Sequence, residues 1–243
     1  MAKSPKQPQD AGDSAKPAAP RTRIVEALME LAGERAFAEI TITDIAAKAH
    51  VTLAEFRDCF PSKGAILAGW SRMIDSKVLE ASSADLVGEP AKERLFDVLM
   101  RRLDAMAPYR AGVESVMHWV RRDPGAALAL NQVAVNSMRF MLEAAGIDNE
   151  GPLGAVKTQG LVVAWTRIVT IWLADDKPGL DATMAALDKE LTRGGQFVAR
   201  AEDAGRLLAP LSQFARALCD ARTNMGTRMR ERGPGRGEGE AAV

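Results

Sequence analysis

The chain has 243 residues, with 32 basic and 32 acidic side chains, and 47% of its residues are hydrophobic. That balance suits a soluble globular protein, and zero net charge excludes bulk attraction to nucleic acid or membranes, so any such attraction has to be local. Two cysteines and two histidines are too few for a disulfide scaffold or a Cys/His metal cluster, and the scarcity of aromatic residues beside abundant Ala, Leu, Met and Arg argues for helices over sheets.

Residues 1–20 hold four prolines and, after Met1, no large apolar side chain. They form a disordered tail on this reading, and the absence of an apolar leader segment points to the cytoplasm. The first helix starts at Arg21, with Ile24, Leu28 and Leu31 at helical spacing, and ends near Ala36. In Ile40-Thr41-Ile42-Thr43-Asp44, either threonine can cap a short second helix that stops around His50, and Asp44 suits its positive end. Thr52 can cap a third, Leu53 to Cys59. Pro61 interrupts the chain, and Ser62 can cap a long helix from Lys63 to about Glu80, whose apolar stripe is Ile66, Trp70, Met73 and Ile74, followed by Lys77 and Val78.

Two short helices behind a longer one have the outline of a helix-turn-helix. The stretch from Arg21 through Leu67 resembles the N-terminal DNA-binding domain of TetR-family repressors. Thr41, Ile42, Asp44, Ile45 and Ala46 stand where that family opens its second helix, Val51 and Thr52 where the third begins, and Phe60, Ser62 and Lys63 where the fourth begins. The resemblance implies DNA contacts from Arg21, Thr41, Thr43, Thr52, Leu53, Ala54, Arg57 and Lys63. The threonines could cap and bind phosphate at once, because a helix N-terminus attracts anions. Leu53 and Ala54 could meet thymine methyl groups. The family usually has glycine where His50 stands, at a turn that often needs a positive φ. It usually has tyrosine and histidine where Arg57 and Cys59 stand, and Arg57 can still bind phosphate. Glu55 and Asp58 repel a DNA backbone, and residues 21–80 carry eight basic against nine acidic side chains.

Further helices are predicted over 91–107, 109–122, 125–145, 153–174, 179–194 and 200–222. Leu161 to Ala174 is the most apolar run. At 14 residues it spans roughly 21 Å, short of the ~30 Å hydrocarbon slab, and so reads as a buried core helix with no membrane partner. Candidate ligand contacts are Met117, Trp119, Phe140, Met141, Trp165 and Arg167, with Met138 and Trp172 also available. Arg167 interrupts the most apolar helix; it faces outward, pairs with an acid, or meets an anionic or carbonyl-bearing effector. Asp175 and Asp176 read as a solvated turn. Arg216, Arg222, Arg228, Arg230 and Arg232 crowd a C-terminal region that ends in a second disordered tail, 222–243.

Ile171 through Asp181, with Thr183, Leu187 and Asp188, resembles the end of the ubiquinone-biosynthesis lipid-binding family, whose members have a TetR-like fold without DNA binding. The expected organisation is all-α: a helix-turn-helix domain over 21–68, then a larger helical regulatory and dimerisation domain over 69–221. The TetR resemblance implies a ligand-responsive transcriptional regulator, a repressor, that binds a palindromic DNA operator as a homodimer and responds to a small hydrophobic effector. Its dimer interface would use helices 153–174 and 200–222. The alternative is a lipid- or quinone-binding protein of the same shape that has lost DNA binding. No catalytic triad, metal site, cofactor or phosphate loop is legible, so an enzyme is not expected.

Overall fold

The computed structural model describes residues 18–80 and 88–200, and these are helical with no β-strand. α1 (Pro20–Glu34), α2 (Ile42–Lys48), α3 (Leu53–Cys59) and α4 (Lys63–Glu80) are followed by α5 (Ala91–Met106), α6 (Arg110–Val120), α7 (Pro124–Ala144) and α8 (Gly151–Ala174). α2, α3 and α7 begin at a side chain that caps their backbone N–H groups, and α2 and α7 end at a left-handed residue. Residues 181–200 are also helical. The helices predicted over 91–107, 109–122, 125–145 and 153–174 correspond to α5 to α8 within a few residues. The one predicted over 200–222, most of both tails and Cys219 fall outside the described residues.

Proline at the first turn starts α1, α7 and α8, where its missing N–H costs nothing. Ser62 accepts from the Ala65 N–H at the start of α4. α2 ends in a Schellman motif. Val51 N–H donates to the Ala46 carbonyl and His50 N–H to that of Ala47, with His50 at φ 52°. α7 ends in the same motif with Gly146 at φ 65° in the equivalent place. The positive φ expected at position 50 is therefore present, with a side chain that makes it costly. Replacing His50 with Gly should raise stability by about 1 kcal/mol. A urea or thermal midpoint measures this, the thermal one rising by about 2–4 °C for a domain this size. The Arg23 bond to the His50 carbonyl survives, because it uses the backbone.

Described residues up to Leu191 form one unit, and a second begins at Thr192. One hydrophobic core runs through the first unit. It takes Ile24, Leu28 and Leu31 from α1, Ile45 from α2, Phe56 from α3 and Ile66, Ile74 and Val78 from α4. From the later helices come Leu99, Leu103, Met138, Trp165, Ile168 and Trp172. α6 packs on α1, α4 on α7 and α5, and α7 on α8. α4 thus touches both the short helices' scaffold and the later helices, and residue 68 lies within it.

Two polar arrangements differ from the sequence expectation. Asp175 is buried, and its carboxylate accepts from both the N–H and the hydroxyl of Thr183. It ties the turn after α8 to the following helix; only Asp176 is solvated. The Thr183 bonds hold the Asp175 carboxyl below its usual range. On α4, Lys77 lies outside, above the Tyr109 ring at 5.9 Å, and the charged residue turned inward is Asp75.

Candidate functional site: an exposed helix and an apolar cavity

Two short helices carry the proposed reading face. Thr41 caps α2 and Thr52 caps α3, each in a reciprocal capping box. Asp44 N–H donates to Thr41 Oγ1, while Asp44 accepts from the Thr41 N–H at 2.9 Å. Glu55 accepts from the Thr52 N–H at 2.7 Å and from its hydroxyl at 2.9 Å. Glu55, read from sequence as a carboxylate that repels DNA, is thus committed to holding the start of α3. Those two bonds, and more weakly Arg23, hold its carboxyl below the ordinary range. The Thr41 bonds, assisted by Arg35 at 2.8 Å, do the same for Asp44. A carboxylate with a depressed folded pKa stabilises above its unfolded pKa, and the contribution fades as pH falls through the folded value. In acid both short helices therefore lose the carboxylate half of their capping boxes and keep the threonine half.

Leu53, Ala54, Arg57 and Asp58 of α3 are exposed, and Phe56 is its anchor in the core. Leu53 keeps 56% of its surface, far more than a packing residue needs. Thr43 is exposed on the first turn of α2. Arg21 donates from Nη1 to the Cys59 carbonyl at the end of α3 and covers the Phe60 ring at 4.2 Å. Lys63 behaves differently from the solvated or phosphate-binding cation expected. Its ammonium donates to the carbonyls of Phe37 at 3.1 Å and Ile40 at 2.7 Å and sits 4.8 Å from the Phe37 ring centre. Partial burial lowers its pKa. It closes the α1–α2 connection, leaving Arg57 as the cation that α3 itself presents.

Among α1 and α4 to α8 lies a cavity of about 290 Å³. Met29 of α1, Leu67 and Trp70 of α4, and Met106 of α5 line it, together with Val113, Val116, Met117 and Val120 of α6, Leu130 and Met138 of α7, and Val162, Trp165 and Val169 of α8. Polar groups on the wall are few: Ser71, Arg102, Asn131, Thr166 and the Trp70 indole. Thr166 spends its hydroxyl on the Val162 carbonyl, and Asn131 exchanges amide bonds with Gln159. An apolar chamber with a few convergent polar groups is the usual form of a small-molecule site.

Of the ligand residues expected from sequence, Met117 and Trp165 line this chamber, as does Met138. The others sit elsewhere, for identifiable reasons. Trp119 stacks on Phe37 with ring centres 4.6 Å apart, at the seam between α6 and the α1–α2 connection. Met141 is sealed in the core. Phe140 keeps 58% exposure and borders a separate polar cleft with Arg72, Arg139 and Glu143. Trp172 is buried beneath the Arg110 guanidinium, 5.2 Å from its ring centre. Arg167 points outward, its side chain 61% exposed, and meets Glu190 at 3.3 Å.

The sequence reading missed Arg102, which is buried on α5 and reaches the chamber wall. Its Nη1 donates to Asp75 of α4, and its Nη2 to Ser71 Oγ at 3.3 Å. Ser137 of α7 donates to the same Asp75 oxygen at 2.7 Å. The guanidinium also lies 5.5 Å from the Trp165 ring centre. Burial pushes the Arg102 pKa down, and Asp75 partly offsets this; the guanidinium stays charged.

Among the described residues no helix is long and apolar enough to cross a membrane, and no cluster of His, Cys, Asp and Glu could hold a metal ion. No protein-family profile and no curated protein matches the chain. Solved structures do match. One is a TetR transcriptional regulator from Nitrosomonas europaea, at 24% identity and a TM-score of 0.58, covering 72% of this chain and 98% of that one. Another is a TetR transcriptional regulator from Rhodococcus sp. RHA1, at 19% identity and a TM-score of 0.54, covering 72% of this chain and 95% of that one. At these identities the likeness concerns the fold, which is the all-α arrangement expected. The C-terminal likeness to lipid-binding proteins is not shown by these two structures.

Proposed function

We propose that the chain is a ligand-responsive DNA-binding transcriptional regulator of the TetR type, a repressor that works in the cytoplasm as a homodimer on a palindromic operator. One observation carries the reading. α1, the scaffold on which α2 and α3 pack, contributes Met29 to the wall of the apolar cavity, and α4 and α6 contribute the residues around it. A small hydrophobic effector there presses on the helices that aim α3. Coupling of two sites through shared rigid elements with alternative arrangements is the physical content of allostery.

On this reading α3 enters the major groove, with Arg57 on phosphate, Leu53 and Ala54 toward base edges, and Thr43 and the capped N-termini of α2 and α3 near the backbone. Arg21 acts indirectly, by fixing the end of α3. Dimerisation supplies a second reading head, because one short helix reads too few base pairs for usable affinity. The solved structures of like fold support the same role for this chain.

The expected result is a salt-sensitive complex of the full-length protein with DNA flanking its own gene, at micromolar concentration or below. Arg57→Ala should weaken it about tenfold or more across sequences and reduce the salt slope by about 1. A complete absence of DNA binding favours the second reading, a TetR-shaped carrier of lipid or quinone. The exposed Asp58 and the diversion of Lys63 into the protein are the observations on its side.

A further inference from the structure

The chamber wall carries hydrogen-bond donors without partners. Arg102 Nε and Trp70 Nε1 are both buried and make no hydrogen bond, and both belong to residues that line the cavity. A buried N–H left unpaired is costly, and each such group in a folded protein calls for an explanation. Neither side chain offers an acceptor. The wall's other polar groups are engaged: Ser71 accepts from Arg102, Thr166 donates to Val162, and Asn131 pairs with Gln159.

Charge narrows the choice. Arg102 is already neutralised by Asp75, which also takes the Ser137 hydroxyl. A second carboxylate brought beside this pair would be desolvated with no cation left to balance it, and Asp75 would repel it. A ligand hydroxyl meets the same donors, because it can accept from an N–H while its own hydrogen goes to Thr166 Oγ1, which donates to Val162 and keeps its lone pairs. The geometry points to a neutral, largely apolar effector with a carbonyl, ether or hydroxyl oxygen that takes hydrogen bonds from the wall's unpartnered donors, Arg102 Nε and Trp70 Nε1. The volume, about 290 Å³, is at the small end for ligand pockets, roughly 300–1,000 Å³, and favours a compact or single-chain molecule. This assignment rests on the proposed use of the cavity as an effector site.

Titration calorimetry on the full-length protein tests it with 2-decanone, decanoate and propylbenzene. The ketone should bind at least tenfold tighter than the carboxylate at neutral pH. Trp70→Phe, which keeps a ring and removes the indole N–H, should weaken the ketone three- to tenfold and leave propylbenzene unchanged. Decanoate binding as tightly as the ketone, or an equal loss for ketone and propylbenzene in the variant, overturns the neutral-acceptor assignment while leaving the cavity an effector site. If none of the three binds to the unmodified protein, the effector site itself is wrong, and the DNA-binding experiment stands apart from that failure. The comparison of ketone with carboxylate uses no variant and so does not depend on how Trp70→Phe folds.

Discussion

Replacing Arg102 with Ala should cost about 3–5 kcal/mol of folding stability, the range for a buried ion pair that loses one partner. Asp75, buried on α4, would keep only the Ser137 hydroxyl, and a carboxylate out of water with so little support is far costlier than the attraction it lost. Asp75→Ala should cost a similar amount, because it strands the guanidinium. The double variant Asp75→Leu with Arg102→Met behaves differently. With both charges gone and apolar groups of similar length in place, stability should return close to that of the unmodified protein, or above it. Urea unfolding of the three variants gives a coupling energy that separates the worth of the pair from the penalty of orphaning half of it. Two damaging single variants and a mild double variant would show that the network specifies how α4, α5 and α7 meet more than it stabilises them. A double variant as weak as the singles would mean that the hydrogen bonds to Ser71 and Ser137 are the stabilising element.

Much of the backbone plan was legible. Thr41, Thr52 and Ser62 sit at helix starts as read, because capping is a local event whose donor and acceptor lie within three residues. His50 betrayed the turn for the same reason: a single left-handed residue sets it. The buried pair was harder to see, though its traces were present. Arg102 falls among Leu95, Val98, Leu99, Leu103 and Met106, all buried, and Asp75 falls beside Ile74 and Val78. Two opposite charges on two apolar stripes imply that they meet across a helix contact. Lys77 drew the reading away because it follows the same stripe in sequence, while a long flexible cation can leave the face that a short carboxylate cannot.

The site was less legible because it depends on helices distant in sequence. Trp119, Phe140 and Trp172 look like lining residues on composition alone, yet each is turned elsewhere by its place on its helix. Lys63 was misread for a comparable reason. Its two carbonyl partners lie 26 and 23 residues away, at Phe37 and Ile40, so nothing near Lys63 in the sequence announces them. Glu55 was misjudged in the opposite sense: the box with Thr52 was within local reach, but the residue was weighed only for its effect on DNA.

Gly112→Ala should separate α1, on which α2 and α3 pack, from α6, which lines the cavity. A Cβ at this position would stand 2.5 Å from the Met29 carbonyl oxygen of α1 and 3.1 Å from the Met29 methyl carbon. The methyl group can swing away, but the carbonyl belongs to a helix backbone, so α1 and α6 must move apart. Overpacking of this kind costs about 1–3 kcal/mol, and alanine returns about 1 kcal/mol through helix propensity. With a clash against backbone the upper part of that range applies, for a net loss of about 2 kcal/mol. Gly33, on the facing surface of α1, is the control. Its Cβ would lie 3.3 Å from the Ala111 Cβ, a contact a small shift relieves, so Gly33→Ala should be neutral or mildly stabilising. Denaturant unfolding gives the two signs, and the emission of Trp119, stacked on Phe37 across the same seam, should change in the Gly112 variant alone. Because Met29 and Val113 both face the cavity, widening this seam also enlarges the chamber. If the chamber governs α3, Gly112→Ala should weaken the mutual effect of DNA and effector more than it weakens either binding event alone, since the coupling runs through the contact being opened. Loss of DNA binding with an unaltered response to ligand would place the coupling in α4 instead.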